Sequence, residues 1–489
     1  MILEELSRLL KDVPEQTSKA IKALFMIQQM QLEQIAQLKQ RISELEAQLA
    51  QNSKNSHKPP SSDGFKKPKR TRSLRKKSNR KVGGQPGHKG SKLHRSEDID
   101  EMVFHPVDQC SCCGKDLKDV AVLDYVKRQV FDLPEIRLQV IEHQGELKRC
   151  SCGVVSQGHF PVDVRGEVQY GPRVRGLASY LQNYQLLPYQ RSAELLRDVF
   201  EVSISKGTLY NISQQGYDNL EGFESELKQY LIKQGLLHSD ETGLNVQGKT
   251  CWLHTTSNSE YTHYQVHPNR GKKAMDEIGI LPYFRGTIVH DCLRSYFQYE
   301  QAQHSVCLAH ILRELQALME QNQDWAGQLS KLLLAMKKSK DRAIDQGKQK
   351  VSKATVADYR KQYRQIIKWG QKANPLPAKD YNNPRKTKRT KAQNLLRRLE
   401  KYEAEVFRFY TNFEVPFDNN LAERDLRMAK VKQKISGCFR SEMGAHFFAR
   451  LRSYISSARK QGINILEALK AIFDSIAKPI FQFEVASAR

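Results

Sequence analysis

A chain of 489 residues with 39% apolar content is too long for one hydrophobic core and implies about three domains. Its formal net charge of +25 implies an anionic polymer as partner. DNA is favoured over a membrane surface, because no run approaches the roughly 20 apolar residues that span a bilayer. The N-terminus lacks the apolar block and cleavage site of a secretory signal, so the expected location is the cytoplasm. Nine cysteines, four of them in two close pairs, suit a metal site in a reducing compartment better than a disulfide framework.

Residues 15–51 carry a heptad repeat, with Ile21, Gln28, Ile35, Ile42 and Leu49 in one register and Leu24, Gln31, Leu38 and Leu45 in the other. The spacing predicts a helical, leucine-zipper-like coiled coil over 1–51 that associates with a second copy; an amphipathic helix packed on its own chain is the alternative. Residues 52–96 begin with Lys58-Pro-Pro-Ser-Ser-Asp-Gly64, which cannot continue a helix. Between Lys66 and Lys81 stand ten Lys or Arg and no acid. We read this tract, with Lys66, Lys67, Lys69, Arg70, Arg75, Lys76 and Lys77, as an arm that tracks DNA phosphates rather than a solvated linker.

Residues 97–165 are expected to be a small zinc-binding module. Cys110-x-x-Cys113 and Cys150-x-Cys152 are each followed by glycine, and four thiolates can close a tetrahedral Zn²⁺ site. The second pair is shorter than a standard knuckle, and Cys112 is a competing thiol. Short strands are predicted at 120–123 and 130–133. Residues 166–234 read as helical, and 193–211 have helix-turn-helix-like spacing for DNA, or form a supporting hairpin.

After residue 235 the period changes to that of strands. Leu236 to Thr242, Thr250 to Thr256 and Glu260 to His267 predict three antiparallel strands, Lys272 to Leu281 a helix, and Gly286 to Cys292 a buried fourth strand. This order opens an RNase H-like α/β domain, expected over 235–440, in which the first and fourth strands are neighbours and Asp240 and Asp291 meet at one end. Two facing carboxylates need cations between them, and phosphoryl transfer uses two Mg²⁺ (or Mn²⁺) ions roughly 3.5–4 Å apart. A helical insertion is expected at about 310–412 and a C-terminal helical region at 441–489. Between them, Pro416 and Asp418 announce a helix on which Asn419, Asn420, Glu423, Arg427 and Lys430 share a face, joined by Arg424. Glu423 suits a third metal ligand beside cations, Arg424, Arg427 and Lys430, that hold phosphate. Glu241 points to the opposite strand face, and Glu314 lies only 23 residues after Asp291 without such company. Cys307 and His310, one helical turn apart, could orient DNA or bind metal, but two ligands do not make a zinc site, and they read as a buried thiol beside a satisfied histidine.

Six stretches in order along nearly the whole chain resemble the IS66 family of insertion-sequence transposases. They are Asn55-Ser-His-Lys-Pro-Pro-Ser-Ser-Asp63, Gly83-Gly-Gln-Pro-Gly-His-Lys-Gly90, Tyr170-Gly-Pro-Arg173, His238-Ser-Asp-Glu-Thr242, Cys307-Leu-Ala-His310 and Asn419-Asn-Leu-Ala-Glu-Arg424. The resemblance implies a zipper, a zinc domain and an RNase H-like domain with a helical insertion. Asp240, Asp291 and Glu423 become the acidic triad of a bacterial, nucleoid-associated enzyme that acts on element ends and target DNA as a homo-oligomer, with accessory proteins as possible partners. The short Cys150-x-Cys152 pair and the segment Met428 to Ser436 depart from the family pattern; neither touches the triad. A related nuclease without strand transfer and a non-catalytic DNA-binding repressor are the competing functions.

Overall fold

A computed structural model describes residues 14–52, 55–56, 93–376, 389–475, 479–481 and 483. The cationic arm from Lys66 to Lys77 lies outside the described residues. The chain forms two compact units, Arg70–Val140 and, together, Met1–Lys69 with Ile141–Arg489. In the first, the described residues have little regular structure. A bridge pairs Gln109 with Asp116, but the strands expected at 120–123 and 130–133 do not form, and Val122, Leu123 and Val130 stand exposed. β-branched residues favour a strand only where a pleated face is covered, and no second element covers one here.

The larger unit opens with α1, Glu15–Leu49, one helix of 35 residues. Leu24, Ile35, Leu38, Ile42 and Leu45 are exposed along it. Two short strands, β1 (Leu147–Arg149) and β2 (Val155–Gln157), pair antiparallel. Four helices follow: α2 (Pro172–Ser179), α3 (Tyr189–Phe200), α4 (Lys206–Asn219) and α5 (Glu221–Ile232). Glu201, at φ 54, ends α3, and the Ser205 hydroxyl accepts from Thr208 N–H to start α4. The expected helix pair therefore forms. Among the described residues, no helix is long and apolar enough to cross a membrane.

The central sheet has the order β5-β4-β3-β6-β7. β3 (Leu236–Val246), β4 (Lys249–Ser257) and β5 (Thr262–His267) are antiparallel, while β6 (Thr287–His290) and β7 (Gln303–Val306) run parallel to β3. Gln247 and Gly248, both at positive φ, make the tight β3–β4 turn. Helix α6, Lys272–Ile278, crosses to β6. At its entry Gly286 lies so close to the Gly235 carbonyl oxygen that a Cβ would stand 2.5 Å from it. That approach seats β6 directly beside β3.

Beyond β7 come α7 (Leu308–Met319), α8 (Asp324–Asp345), α9 (Lys353–Ala373), α10 (Lys391–Lys401) and α11 (Glu403–Thr411), the helical stretch expected at about 310–412. They close a core around Trp325, Tyr363, Phe407 and Phe409 that also takes in Val289 and Val306 of the sheet. Then α12 (Asn420–Ser436), α13 (Glu442–Lys460) and α14 (Ile465–Ala471) return to the sheet. A second core joins Leu227 and Leu231 of α5, Leu237 and Ile288 of the sheet, and Leu451, Ile455 and Leu469 of the last helices. One apolar body thus crosses the boundaries expected at 234 and 441, because amphipathic helices before and after the sheet cover the same face.

The outer strands are tied to side chains. Thr262 and Tyr264 of β5 donate their N–H groups to the Ser457 and Ser453 hydroxyls of α13, at 3.1 and 2.8 Å. On β7 the His304 carbonyl accepts from Arg408 Nε of α11 at 2.7 Å.

Candidate active site

The parallel pairing of β3 with β6 sets Leu236 opposite Thr287 and His238 opposite Val289. Two residues further in that register stand Asp240 and Asp291, both half-buried. Asp240 Oδ1 accepts from the Glu241 N–H at 2.8 Å, and Asp291 Oδ1 from the Leu293 N–H at 2.9 Å. Glu423 stands in the first turn of α12. Burial, and then the negative charges of Glu241, Asp291 and Glu423, push the Asp240 carboxyl well above the usual carboxylate range. Asp291 and Glu423, both named from the sequence, thus act on the Asp240 carboxyl.

Asn419 explains how α12 is held there. It is the N-cap residue of the helix and is buried, with Nδ2 donating to the Ser239 carbonyl at 2.9 Å and Oδ1 2.8 Å from His238 Nδ1. Its backbone N–H points at Cys307 Sγ, 3.2 Å away. Cys307 in turn extends the ladder from β7, donating its N–H to the His290 carbonyl at 2.8 Å, and the next residue, Leu308, donates to Phe417 O at 3.1 Å. The start of α7 and the start of α12 are therefore pinned together beside the two aspartates.

Two arginines that sequence reasoning did not single out, and His310, which it did, complete the site. Arg270, after β5, donates through Nε to Glu241 Oε1 at 2.8 Å, lies over the Trp252 ring and comes within 3.8 Å of Asp291 Oδ2. On α7, His310 Nδ1 lies 3.6 Å from Glu423 Oε1, and Arg313 Nη2 lies 3.7 Å from Glu423 Oε2. The spacing Cys307-x-x-His310-x-x-Arg313 was the available signal for one shared helix face; Arg270 sits in a loop without a local signal. Glu241 points away from Asp240, into a buried pocket with Arg270 and the Tyr296 hydroxyl, which donates to it at 2.7 Å.

The other candidates separate by position. Glu314 is bound by both oxygens to Arg398 Nη2 at 2.6 Å, which commits it to a tie between α7 and α10. Arg424 and Arg427 are exposed on α12, whereas the Lys430 ammonium donates to the Gly243 carbonyl at 2.5 Å and fastens α12 to β3. Asn419 and Lys430 thus hold the helix instead of sharing an exposed face with the arginines.

Each cysteine pair makes its own tight turn. The Cys110 carbonyl accepts from Gly114 N–H, and the Cys150 carbonyl from Gly153 N–H, both at 2.9 Å with the glycine at positive φ. Backbone N–H groups of Cys113 and Cys112, then the Cys113 side chain, lower the Cys110 thiol below its ordinary value; Cys152 and Ser151 do the same for Cys150. Turned-in N–H groups of this kind favour thiolate, the form that binds metal.

Comparison with known families agrees with this order of parts. The profile described as "Transposase IS66 family" matches residues 167–447, and that of the "zinc-finger binding domain of transposase IS66" matches residues 108–153. A third profile, of a family of unknown function, matches residues 11–94. No curated protein matches the chain. More than half of the sequence, from the helices before the sheet to the middle of α13, falls within the first of these matches, and the chain belongs to the IS66 family of transposases.

Proposed function

We propose that this transposase cuts DNA strands at the ends of its insertion sequence by metal-dependent hydrolysis and joins the released 3′-hydroxyls to target DNA, on an RNase H-like catalytic domain. The carrying observation is that Asp240 and Asp291 stand in line just beyond the paired stretch of β3 and β6, with the charges of Asp291 and Glu423 raising the proton affinity of Asp240. The strand order β5-β4-β3-β6-β7, three antiparallel strands followed by two parallel ones, supports the fold reading.

Carboxylate oxygens suit hard divalent cations, and Mg²⁺ or Mn²⁺ held by Asp240, Asp291 and Glu423 would supply activation of the attacking oxygen and stabilisation of the leaving one. The chain's own groups set the geometry. Asn419 and Lys430 fix α12 on β3, Arg270 restrains Asp291, and Arg313 faces Glu423. Arg424 and Arg427 would hold phosphate beside the site, and the arm with Lys66, Lys67, Lys69, Arg70, Arg75, Lys76 and Lys77 would track the DNA backbone. The zinc-finger match spans Cys110, Cys113, Cys150 and Cys152 and supports a structural Zn²⁺ held by these thiolates. Helix α1 would pair two protomers, one for each element end.

The test is a pair of charge-removing changes. Glu423→Gln should keep fold and DNA affinity and lose most Mg²⁺-dependent cleavage, at least about 100-fold, because an amide ligates these cations weakly. Glu314→Gln should retain cleavage while lowering the thermal midpoint, since it breaks the tie to Arg398. Cleavage that survives the first change and vanishes with the second would reject the assignment.

A further inference from the structure

The Cys307–His310 turn, with two potential ligands in the sequence, gains a third in the fold. Cys307, His310 and Glu423 each offer one ligand atom, and these atoms all lie within 4.8 Å of one another. The separation between His310 Nδ1 and Glu423 Oε1, 3.6 Å, is too long for a hydrogen bond. It is close to the ligand-to-ligand edge of a tetrahedral zinc site, about 3.4 Å for bonds of about 2.05 Å. Cys307 Sγ already receives the Asn419 N–H at 3.2 Å, a contact that would stabilise thiolate sulfur. Cys307 and His310 are held in position by the first turn of α7, so only Glu423 needs to adjust.

The donor set decides which ion. Sulfur, imidazole nitrogen and one carboxylate oxygen suit Zn²⁺, Co²⁺ or Cd²⁺ and repel Mg²⁺, which demands oxygen and a near-octahedral shell. Three protein ligands leave a fourth position for water or a phosphate oxygen.

We propose that Cys307, His310 and Glu423 form a binding site for a thiophilic divalent cation of the Zn²⁺ type, and that its occupation holds Glu423 away from Asp240 and Asp291 and shuts off strand cleavage. The binding half stands on the three ligands alone; the inhibitory half rests on the activity proposed above. Glu423 is the shared element, one oxygen facing His310 and the other Arg313. An ion held on the thiol side therefore takes a ligand away from the oxygen side.

The full-length chain, stripped of metal under reducing conditions, is titrated with Co²⁺ and followed by thiolate-to-cobalt absorption. Cys307→Ser and His310→Gln should each take up one equivalent less than wild type, leaving the absorption of the paired-cysteine module unchanged. Ser at 307 can still accept the Asn419 N–H, so the fold is kept, and His310→Gln gives an independent count. Equal uptake by wild type and both variants would overturn the site. In Mg²⁺-supported cleavage, the Zn²⁺ concentration that halves each protein's own rate should rise at least about ten-fold in Cys307→Ser, the least that loss of a supporting group costs a metal site. An unchanged value would overturn the inhibitory role. Absence of Mg²⁺-dependent cleavage in wild type would remove the proposed activity, and with it the inhibitory role, while the cobalt count still decides the site.

Discussion

The Asn419 amide can satisfy its partners in one orientation only. Nδ2 must face the Ser239 carbonyl, so Oδ1 accepts from His238 Nδ1, which fixes the proton of that ring on Nδ1. Burial lowers the proton affinity of His238 and keeps it a neutral donor. Asn419→Ala would strand a buried donor and a buried acceptor, and we expect a loss of about 1–3 kcal/mol in urea unfolding. Since the same amide sets where Glu423 meets Asp240, cleavage should fall more than ten-fold with little change in the apparent Kd for DNA. A variant that loses stability and keeps its turnover would show that α12 finds its place without this residue.

At the scale of elements, α5, β5 and α13 converge on one acid. Glu224 of α5 accepts from Arg450 Nε at 2.5 Å and lies 3.2 Å from His263 Nε2 of β5, while Arg450 stacks on Tyr217. Burial alone would raise the Glu224 carboxyl. The hydrogen bond and charge of His263, and then the charges of Arg450 and Lys228, outweigh it and bring it from 4.5 to about 2. A carboxyl depressed by folding stabilises the protein fully above its unfolded value, and that contribution drains away as pH falls from about 4.5 towards 2. The contribution is on the order of 3 kcal/mol. Glu224→Gln should therefore unfold at lower urea than wild type at pH 7, with the gap narrowing as pH falls from 4.5 towards 2; a gap independent of pH would mean the ion pair contributes nothing.

The same scale shows what the sequence could convey. The strands that lead to Asp240 and Asp291 were legible because apolar strands announce themselves, and the helix that carries Glu423 because Pro416 and Asp418 mark its start. The expected helix pair of 193–211 and the helical stretch after β7 were legible from their periodicity. The short strand β7 carries only His304, Ser305 and Val306 buried, too few to stand out. The strands expected at 120–123 and 130–133 had the right residue types without a face to bury. Asn419 and Lys430 looked like phosphate ligands because local spacing cannot tell an exposed helix face from one laid on a sheet. Arg270 is made important by tertiary contacts alone.

Over the whole molecule, charge is the dominant long-range property. The excess of +25 is concentrated in part between Lys66 and Lys81, where ten cations stand without an acid. Replacing Lys66, Lys67, Lys69 and Arg70 by Gln should flatten the dependence of DNA affinity on salt, each lost phosphate contact removing about 0.9 from the logarithmic slope. Fluorescence anisotropy across a salt series reads this directly, and an unchanged slope would make the tract a linker.

The ties at the two outer strands also bear on how copies of the chain can meet. With the N–H groups of Thr262 and Tyr264 bonded to Ser457 and Ser453, and the His304 carbonyl to Arg408, these three backbone groups are closed to a foreign strand. Growth of the sheet from one molecule into the next, the usual route to strand exchange and fibrous aggregation, is hindered at these groups. The apolar side chains of Leu24, Leu38 and Ile42 are left to solvent on helix α1 instead.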